Sequence, residues 1–230
     1  MPRRQVRAPR PEVDLRGILL ETEALPPRLG SISLFGQEQP LEIEIGSGKG
    51  LFLDQASAAN PAHHFLGIEI ARPYAMVTAA RLARRGARNA KVILGDAGPL
   101  LASRIADHSI EALHVYFPDP WWKKKHKKRR VLNEVFFHHA LRILRPGGRL
   151  HFWTDVLEYF EQALELAAEV TPELGPPIPD AAAGEGSGDY RTHFERRSCQ
   201  QSIPVYRVYW ETPPAPGAPA SSPLATTRSS

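Results

Sequence analysis

The chain has 230 residues, 42% of them hydrophobic, and a net charge of +4 at pH 7, which suits one globular domain with terminal tails. A single cysteine, Cys199, excludes an intramolecular disulfide and a Cys-based zinc site, and none of the nine histidines falls in a ligand spacing, so no metal is expected. No stretch approaches the roughly 18 apolar residues of a bilayer span, and no apolar signal core opens the chain, so a cytoplasmic protein without a membrane partner is expected.

In chain order, MPRRQVRAPRPE reads as a loose basic arm. LEIEI (41–45) is strand-like and runs into GSGKG. LFLDQASAAN reads as a helix closed by Pro61, and HFLGIEI (64–70) as the next strand. RPYAMVTAARLARR is a helix with Gly86 where a C-cap glycine belongs. AKVILGD is a strand, GPLLASRIAD a short helix and IEALHVYF (110–117) a fourth strand. NEVFFHHALRILR is a helix stopped by Pro146-Gly147-Gly148. RLHFWTD is a fifth strand and VLEYFEQALELAAEV a helix. PELGPPIPDAAAGEGSGD reads as a long mobile loop, PVYRVYWE (204–211) as a final strand, and the Pro/Ala/Ser-rich end as disordered. The expected organisation is an arm over 1–30, one domain over 31–211 and a tail over 212–230. Five strand-then-helix units predict an α/β fold, a parallel sheet with helices on both faces. Ligands then bind at the carboxyl ends of the strands, near the switch in strand order.

The chemistry at those ends can be read directly. Glu44-Ile45-Gly46-Ser47-Gly48-Lys49-Gly50 follows the first strand of this series. Its glycines permit a tight turn and close approach to a ligand. It is not a phosphate-binding loop, because Gly50 follows Lys49 where Ser or Thr is required. Glu44 within a buried strand needs a partner, and a ligand ammonium or sulfonium would supply one. Glu69, at the end of the second strand, is placed either to grip a ribose diol or to cap the next helix. Asp96, ending the third, reads as an N-cap or as an acceptor for an adenine amino group. A glycine turn and two acids on successive strands suggest an adenosine-containing ligand without phosphates, and S-adenosyl-L-methionine fits.

After the fourth strand comes FPDPWWKKKHKKRR. Pro118 and Pro120 fix their own φ and bias the residues before them towards extended conformations, so Asp119 is presented rigidly. Lys123, Lys124, Lys125, Lys127, Lys128, Arg129 and Arg130 carry seven positive charges, more than the net charge of the whole chain. The rest is therefore net negative, and the basicity is a local patch for a polyanion or a solvated charge run. Trp121 and Trp122 suit stacking on a base, although Trp121 also reads as a core residue. Thr192-His193-Phe194-Glu195 has the spacing of a capping box, and Asp155 with Glu158 also suits a helix start.

These residues together resemble a known family, the bacterial tRNA (guanine-N7-)-methyltransferases. The motifs are LFGQEQPLEIEIGSGKG, FLGIEI, GDA, YFPDPWWKKKHKKRR, LRPGGRLHFWTD and T-x-x-E, within residues 33 to 211. Two positions depart from the family: Trp122 where it commonly has Pro, and Ser47 where it often has Cys. The resemblance implies a Rossmann-like class I methyltransferase with a mostly parallel seven-stranded sheet. It implies S-adenosyl-L-methionine as cofactor and N7 of a variable-loop guanine in tRNA as acceptor. Glu44, Gly46, Gly48, Glu69, Asp96 and Asp119 would then hold the cofactor or its methyl-transfer zone, with Asp119 catalytic. Lys123, the rest of the basic run, Asp155, Thr192 and Glu195 would contact tRNA. Monomer and homodimer both remain open. The rival readings are a methyltransferase of this fold acting on another RNA or on a small molecule, and a non-catalytic RNA-binding module.

Overall fold

The computed structural model describes residues 13–121, 130–180 and 192–215. One sheet organises them: β1 (Leu19–Glu21), β2 (Leu41–Ile45), β3 (His64–Glu69), β4 (Ala90–Leu94), β5 (Ile110–Tyr116), β6 (Leu144–Thr154), β7 (Ile178–Pro179) and β8 (Tyr206–Glu211). The spatial order is β1-β4-β3-β2-β5-β6-β8-β7. β2 pairs in parallel with both β3 and β5, β3 pairs with β4, and β5 with β6. β8 pairs antiparallel with both β6 and β7. Chain order therefore departs in opposite directions from β2, and the β2–β5 boundary is the switch point at which an open α/β sheet binds its ligand.

The helices are α1 (Ser31–Phe35), α2 (Leu51–Ala59), α3 (Arg72–Arg85), α4 (Ala97–Ser103), α5 (Glu134–Ile143), α6 (Leu157–Val170) and α7 (His193–Gln200). All six residues of β3 are buried, as expected of a parallel strand covered on both faces. On one face Phe65 and Val92 pack against Leu53 of α2 and Ala75 and Leu82 of α3. On the other, Ile43, Ile68, Leu113 and Phe152 pack against Phe136 and Phe137 of α5 and Tyr159 of α6. Among the described residues no helix is long and apolar enough to cross a membrane.

Four elements depart from the sequence expectation. The sheet has eight strands rather than seven. It begins inside the expected arm, where β1 pairs with β4 and Thr22 Oγ1 donates to the Leu94 carbonyl at 2.8 Å. Leu25 and Leu29 are core residues, so burial ties this segment down. α5 ends at Ile143 rather than Arg145, because Leu144 is already extended (φ −66°, ψ 133°) and the residue before Pro146 is disfavoured in a helix. β7 occupies part of the expected long loop, and the stretch 181–191 lies outside the described residues, as do 1–12 and 216–230.

Below the switch point, the half-buried Glu42 carboxylate receives His63 Nδ1 and His114 Nε2, each at 2.7 Å. The His114 ring stacks on His151, whose Nδ1 is 2.8 Å from Asp180. These bonds bridge β2, β5 and β6 through side chains. Glu42→Ala is expected to lower unfolding stability by about 1–3 kcal/mol by leaving the buried His114 imidazole without its Nε2 partner, read as a shift in the denaturant midpoint. Affinity for the expected S-adenosyl-L-methionine should be unchanged, since Glu42 lies away from the carboxyl ends of the strands.

Candidate active site

Three carboxylates meet at the switch point. Glu44 is the penultimate residue of β2 and pairs in register with Gly67 of β3 and His114 of β5. It is 4% exposed, and its Oε2 has no hydrogen-bond partner. Burial, reinforced by the charge of Glu69, pushes its carboxyl well above the ordinary range. Glu69 closes β3. Its Oε2 accepts the Gly48 N–H and its Oε1 the Ala71 N–H, both at 2.9 Å. Burial raises the Glu69 pKa most, those backbone bonds oppose the rise, and the charge of Asp119 adds to it. Asp119, beyond β5, is thus close enough to act on Glu69, as Glu69 acts on Glu44. The cluster forms because three parallel strands end side by side.

The loop between β2 and α2 is shaped for close approach. Gly46, Gly48 and Gly50 have φ of +77°, +54° and +70°, a region that side chains rarely adopt. At Gly50 a Cβ would also lie 2.5 Å from Thr78 Cγ2. Thr78 Oγ1 donates to the Gly48 carbonyl at 2.9 Å, so α3 braces the loop from behind. Ser47 Oγ is buried and, like Glu44 Oε2, without a partner. Buried polar atoms are rarely left unpaired. One orphaned acceptor and one orphaned hydroxyl beside a glycine turn fit a ligand with a cationic amino group, as S-adenosyl-L-methionine has.

The Pro118-Asp119-Pro120 corner stands between two residues in left-handed backbone, Phe117 at φ +50° and Trp121 at φ +44°. Phe117 does not follow the extended bias that Pro118 imposes. Its N–H donates to the Trp153 carbonyl at 2.7 Å and its ring packs with Phe52, Tyr116 and Trp153, contacts that hold it in an unfavourable conformation. Strain of this kind persists where the surroundings over-determine it, here on both sides of the expected catalytic residue. Trp121 is half-buried rather than a core residue.

The other expected site residues divide. Asp96 is the N-cap of α4, accepting the Gly98 N–H at 3.0 Å, and stands at the end of β4 next to the cluster strands. Thr192 caps α7, its hydroxyl accepting the Glu195 N–H at 3.0 Å. Glu195 is 3% exposed and paired with Arg207 at 3.1 Å. Asp155 does not cap α6, which starts after Val156 without a side-chain cap; it accepts a long bond of 3.4 Å from Ser198 of α7. The T-x-x-E segment is brought to the site all the same, because Phe194 stacks on Phe117 at 6.0 Å between centroids. Lys123, Lys124, Lys125, Lys127, Lys128 and Arg129 lie outside the described residues, as does Trp122.

Arg130 corrects the expectation that the whole basic run faces a polyanion. It is 6% exposed. Its Nε donates to the Pro120 carbonyl at 2.6 Å, a terminal nitrogen donates to Gln162 Oε1, and its guanidinium lies 4.7 Å from the Tyr159 ring centroid. Those bonds join Arg130 to Pro120 and tie it to Tyr159 and Gln162 of α6. The sequence offers no signal that separates Arg130 from its neighbours. Thr78, Ser47 and the strain at Phe117 were also not legible there. A cavity of about 310 Å³ lies towards the amino ends of β2 and β5, lined by Glu42, His63, His114 and Arg149 among others. Its Glu42 carboxylate is already satisfied by the two imidazoles, and Arg149 is paired with Glu211 at 2.9 Å, so it is not the candidate site.

Two outcomes follow from this geometry. Ionising Glu44 in the ligand-free fold is unfavourable, so its stabilising contribution is present below the ordinary carboxylate pKa and is lost as pH rises through the raised value. Glu44→Gln should therefore raise the thermal midpoint of the ligand-free protein at neutral pH while weakening methyl-donor binding. In the unmutated protein that affinity should climb with pH until Glu44 is ionised, with proton release on binding measurable by calorimetry in buffers of different ionisation enthalpy. Separately, Arg130→Ala should destabilise the protein by about 1–3 kcal/mol without changing the salt dependence of polyanion binding. A phosphate contact would instead have reduced the slope by about 0.7–0.9.

Comparison with known proteins agrees with the site. A family model described as "Putative methyltransferase" matches residues 38–199. The chain is 55% identical over 214 residues to a tRNA (guanine-N(7)-)-methyltransferase of Rhodopirellula baltica, covering 90% of this chain and 79% of that one. A protein of the same description from Alcanivorax borkumensis is 37% identical, with 78% and 75% covered. Among solved structures, an antibiotic-related methyltransferase superposes with a TM-score of 0.54 at 13% identity, over 80% of this chain and 95% of that one. The 30S ribosomal A1408 methyltransferase of an uncultured bacterium gives 0.51 at 13% identity, over 79% and 91%. These two establish the class I methyltransferase fold alone. With a family model over most of its length and identity of this extent, the chain belongs to the tRNA (guanine-N(7)-)-methyltransferase family.

Proposed function

We propose that this chain transfers the methyl group of S-adenosyl-L-methionine to N7 of a variable-loop guanine in tRNA, in the cytoplasm. The observation that carries the reading is the buried, unpartnered carboxylate oxygen of Glu44, gathered with Glu69 and Asp119 beside the strained corner that leads into the basic run. Glu44 would hold the cationic amino group, and the glycine loop would let the ligand approach its backbone. Glu69, closing the second of the parallel strands, would grip the ribose diol. Asp96 would serve the adenine side while capping α4.

Bound S-adenosyl-L-methionine supplies an activated methyl on a sulfonium. Guanine N7 has a free lone pair, so the protein need not remove a proton and no strong base is required. The task left to its residues is alignment and charge. As the N7–C bond formed and the methyl–sulfur bond broke to leave a neutral thioether, the positive charge would pass to the guanine ring, and a fixed carboxylate beside it is stabilising. Asp119 is placed for that role, or for gripping the guanine N1–H and amino group. In an A-form stem N7 faces a deep, narrow groove, so the target must lie in an open element of the RNA. Lys123–Arg129 would hold phosphates while that nucleoside enters.

Labelled S-adenosyl-L-methionine with unmodified tRNA transcripts, followed by borohydride and aniline cleavage, tests cofactor, substrate and atom together. Label with one cut in the variable loop is expected. Label without a cut would move the target to another atom, and no label from folded protein would defeat the reading. Asp119→Ala should reduce turnover by about 100-fold or more with the thermal midpoint retained; normal turnover by the folded variant would remove Asp119 from its role.

A further inference from the structure

α7 and the glycine loop build a second basic surface beside the carboxylate cluster. Arg196 and Arg197 are exposed on α7, and Lys49 is exposed in the glycine loop. The neighbouring acids are engaged elsewhere: Glu195 faces inward to Arg207 at 3.1 Å, and Asp54 holds Arg85 at 2.7 Å and Arg81 at 3.6 Å. Among the described residues Lys49, Arg196 and Arg197 make no ion pair. Arg81 joins the two elements, its Nε donating to the Lys49 carbonyl at 3.0 Å and its terminal nitrogen lying 3.5 Å from His193 Nε2. His193 sits among these groups: burial, then the charges of Arg81, Lys49, Arg196 and Arg197, hold its imidazole below the ordinary value. Four cations thus act on one ring, and only Arg81 among them is paired with an acid, Asp54 at 3.6 Å.

An aromatic side chain completes the surface. Phe194 is 49% exposed, stacked on Phe117 and with the Arg197 guanidinium 5.3 Å from its centroid. Uncompensated cations around an exposed aromatic ring suit a polyanion that also offers a flat apolar face, which is an unpaired stretch of nucleic acid. A protein partner would have to bury unpaired cations against acidic groups and has no matching need for the ring.

We infer that Lys49, Arg196 and Arg197, with Phe194 among them, form a second RNA-binding surface for the phosphates and an unstacked base next to the target nucleotide, distinct from the run at 123–129. This rests on tRNA being the substrate. The Phe194–Phe117 stack sets the surface directly against the Pro118-Asp119-Pro120 corner, so the acceptor strand would be held on the α7 side as well as by the basic run.

The test uses the full chain with Arg196 and Arg197 both changed to Gln, and an unmodified tRNA transcript titrated over a series of salt concentrations. The logarithmic salt slope should become shallower by about 0.7 for each phosphate no longer neutralised. KM for tRNA should rise about tenfold, while kcat at saturating tRNA, affinity for S-adenosylhomocysteine and the thermal midpoint are retained. The variant with Lys at both positions keeps the charge and should restore the slope, which a structural role for the guanidinium groups would not allow. Salt-dependent tRNA binding by the unmutated protein with an unchanged slope in the Gln variant would overturn the inference. No salt-dependent binding by the unmutated protein would defeat the tRNA reading itself.

Discussion

Burying a carboxylate without a partner is among the less favourable things a fold can do, and here it happens at the most central strand. Glu44 stands between β3 and β5 with one oxygen unsatisfied. Everything adjacent either adds to that condition or prepares for its relief. Glu69 raises the pKa of Glu44 and Asp119 raises that of Glu69, so the three acids form a field that a cation would neutralise. The glycine loop lets such a cation come close, and the Thr78 bond to the Gly48 carbonyl braces that loop.

The scaffold keeps this arrangement rigid by placing strain where surrounding contacts can bear it. Phe117 and Trp121 adopt backbone conformations that neither residue favours. Phe117 is held by its hydrogen bond to β6 and by an aromatic cluster, and Arg130 bonds back to the Pro120 carbonyl. Asp119 is thus positioned from both sides by contacts within the fold. Preorganisation of this kind suits a reaction whose catalytic demand is alignment rather than proton transfer.

Much of the fold was legible because hydrophobic period and punctuation agree. The strand-helix alternation, the C-cap at Gly86 and the N-cap at Asp96 appear as read. The errors have particular physical reasons. β1 and β7 have three and two residues, too few to show a period, and exist only because a sheet edge offers them partners. Arg130 sits in an unbroken basic run and turns inward because Tyr159, Gln162 and the Pro120 carbonyl offer stacking and hydrogen bonds together. Local sequence contains none of those partners.

Taken alone, the sequence determined the fold class, the glycine turn, the acids at three strand ends and the proline-bracketed Asp119, because each is a local property of residue type and spacing. Tertiary structure decided the rest. It placed β2 beside β5, which turned separate acids into one coupled cluster. It left Glu44 and Ser47 unsatisfied, took Arg130 out of the basic surface, and set the cations of α7 and Lys49 around His193. Each of these depends on groups far apart in the chain meeting in space. Burial and charge fields exist only after that meeting, so no reading of neighbours along the chain contains them.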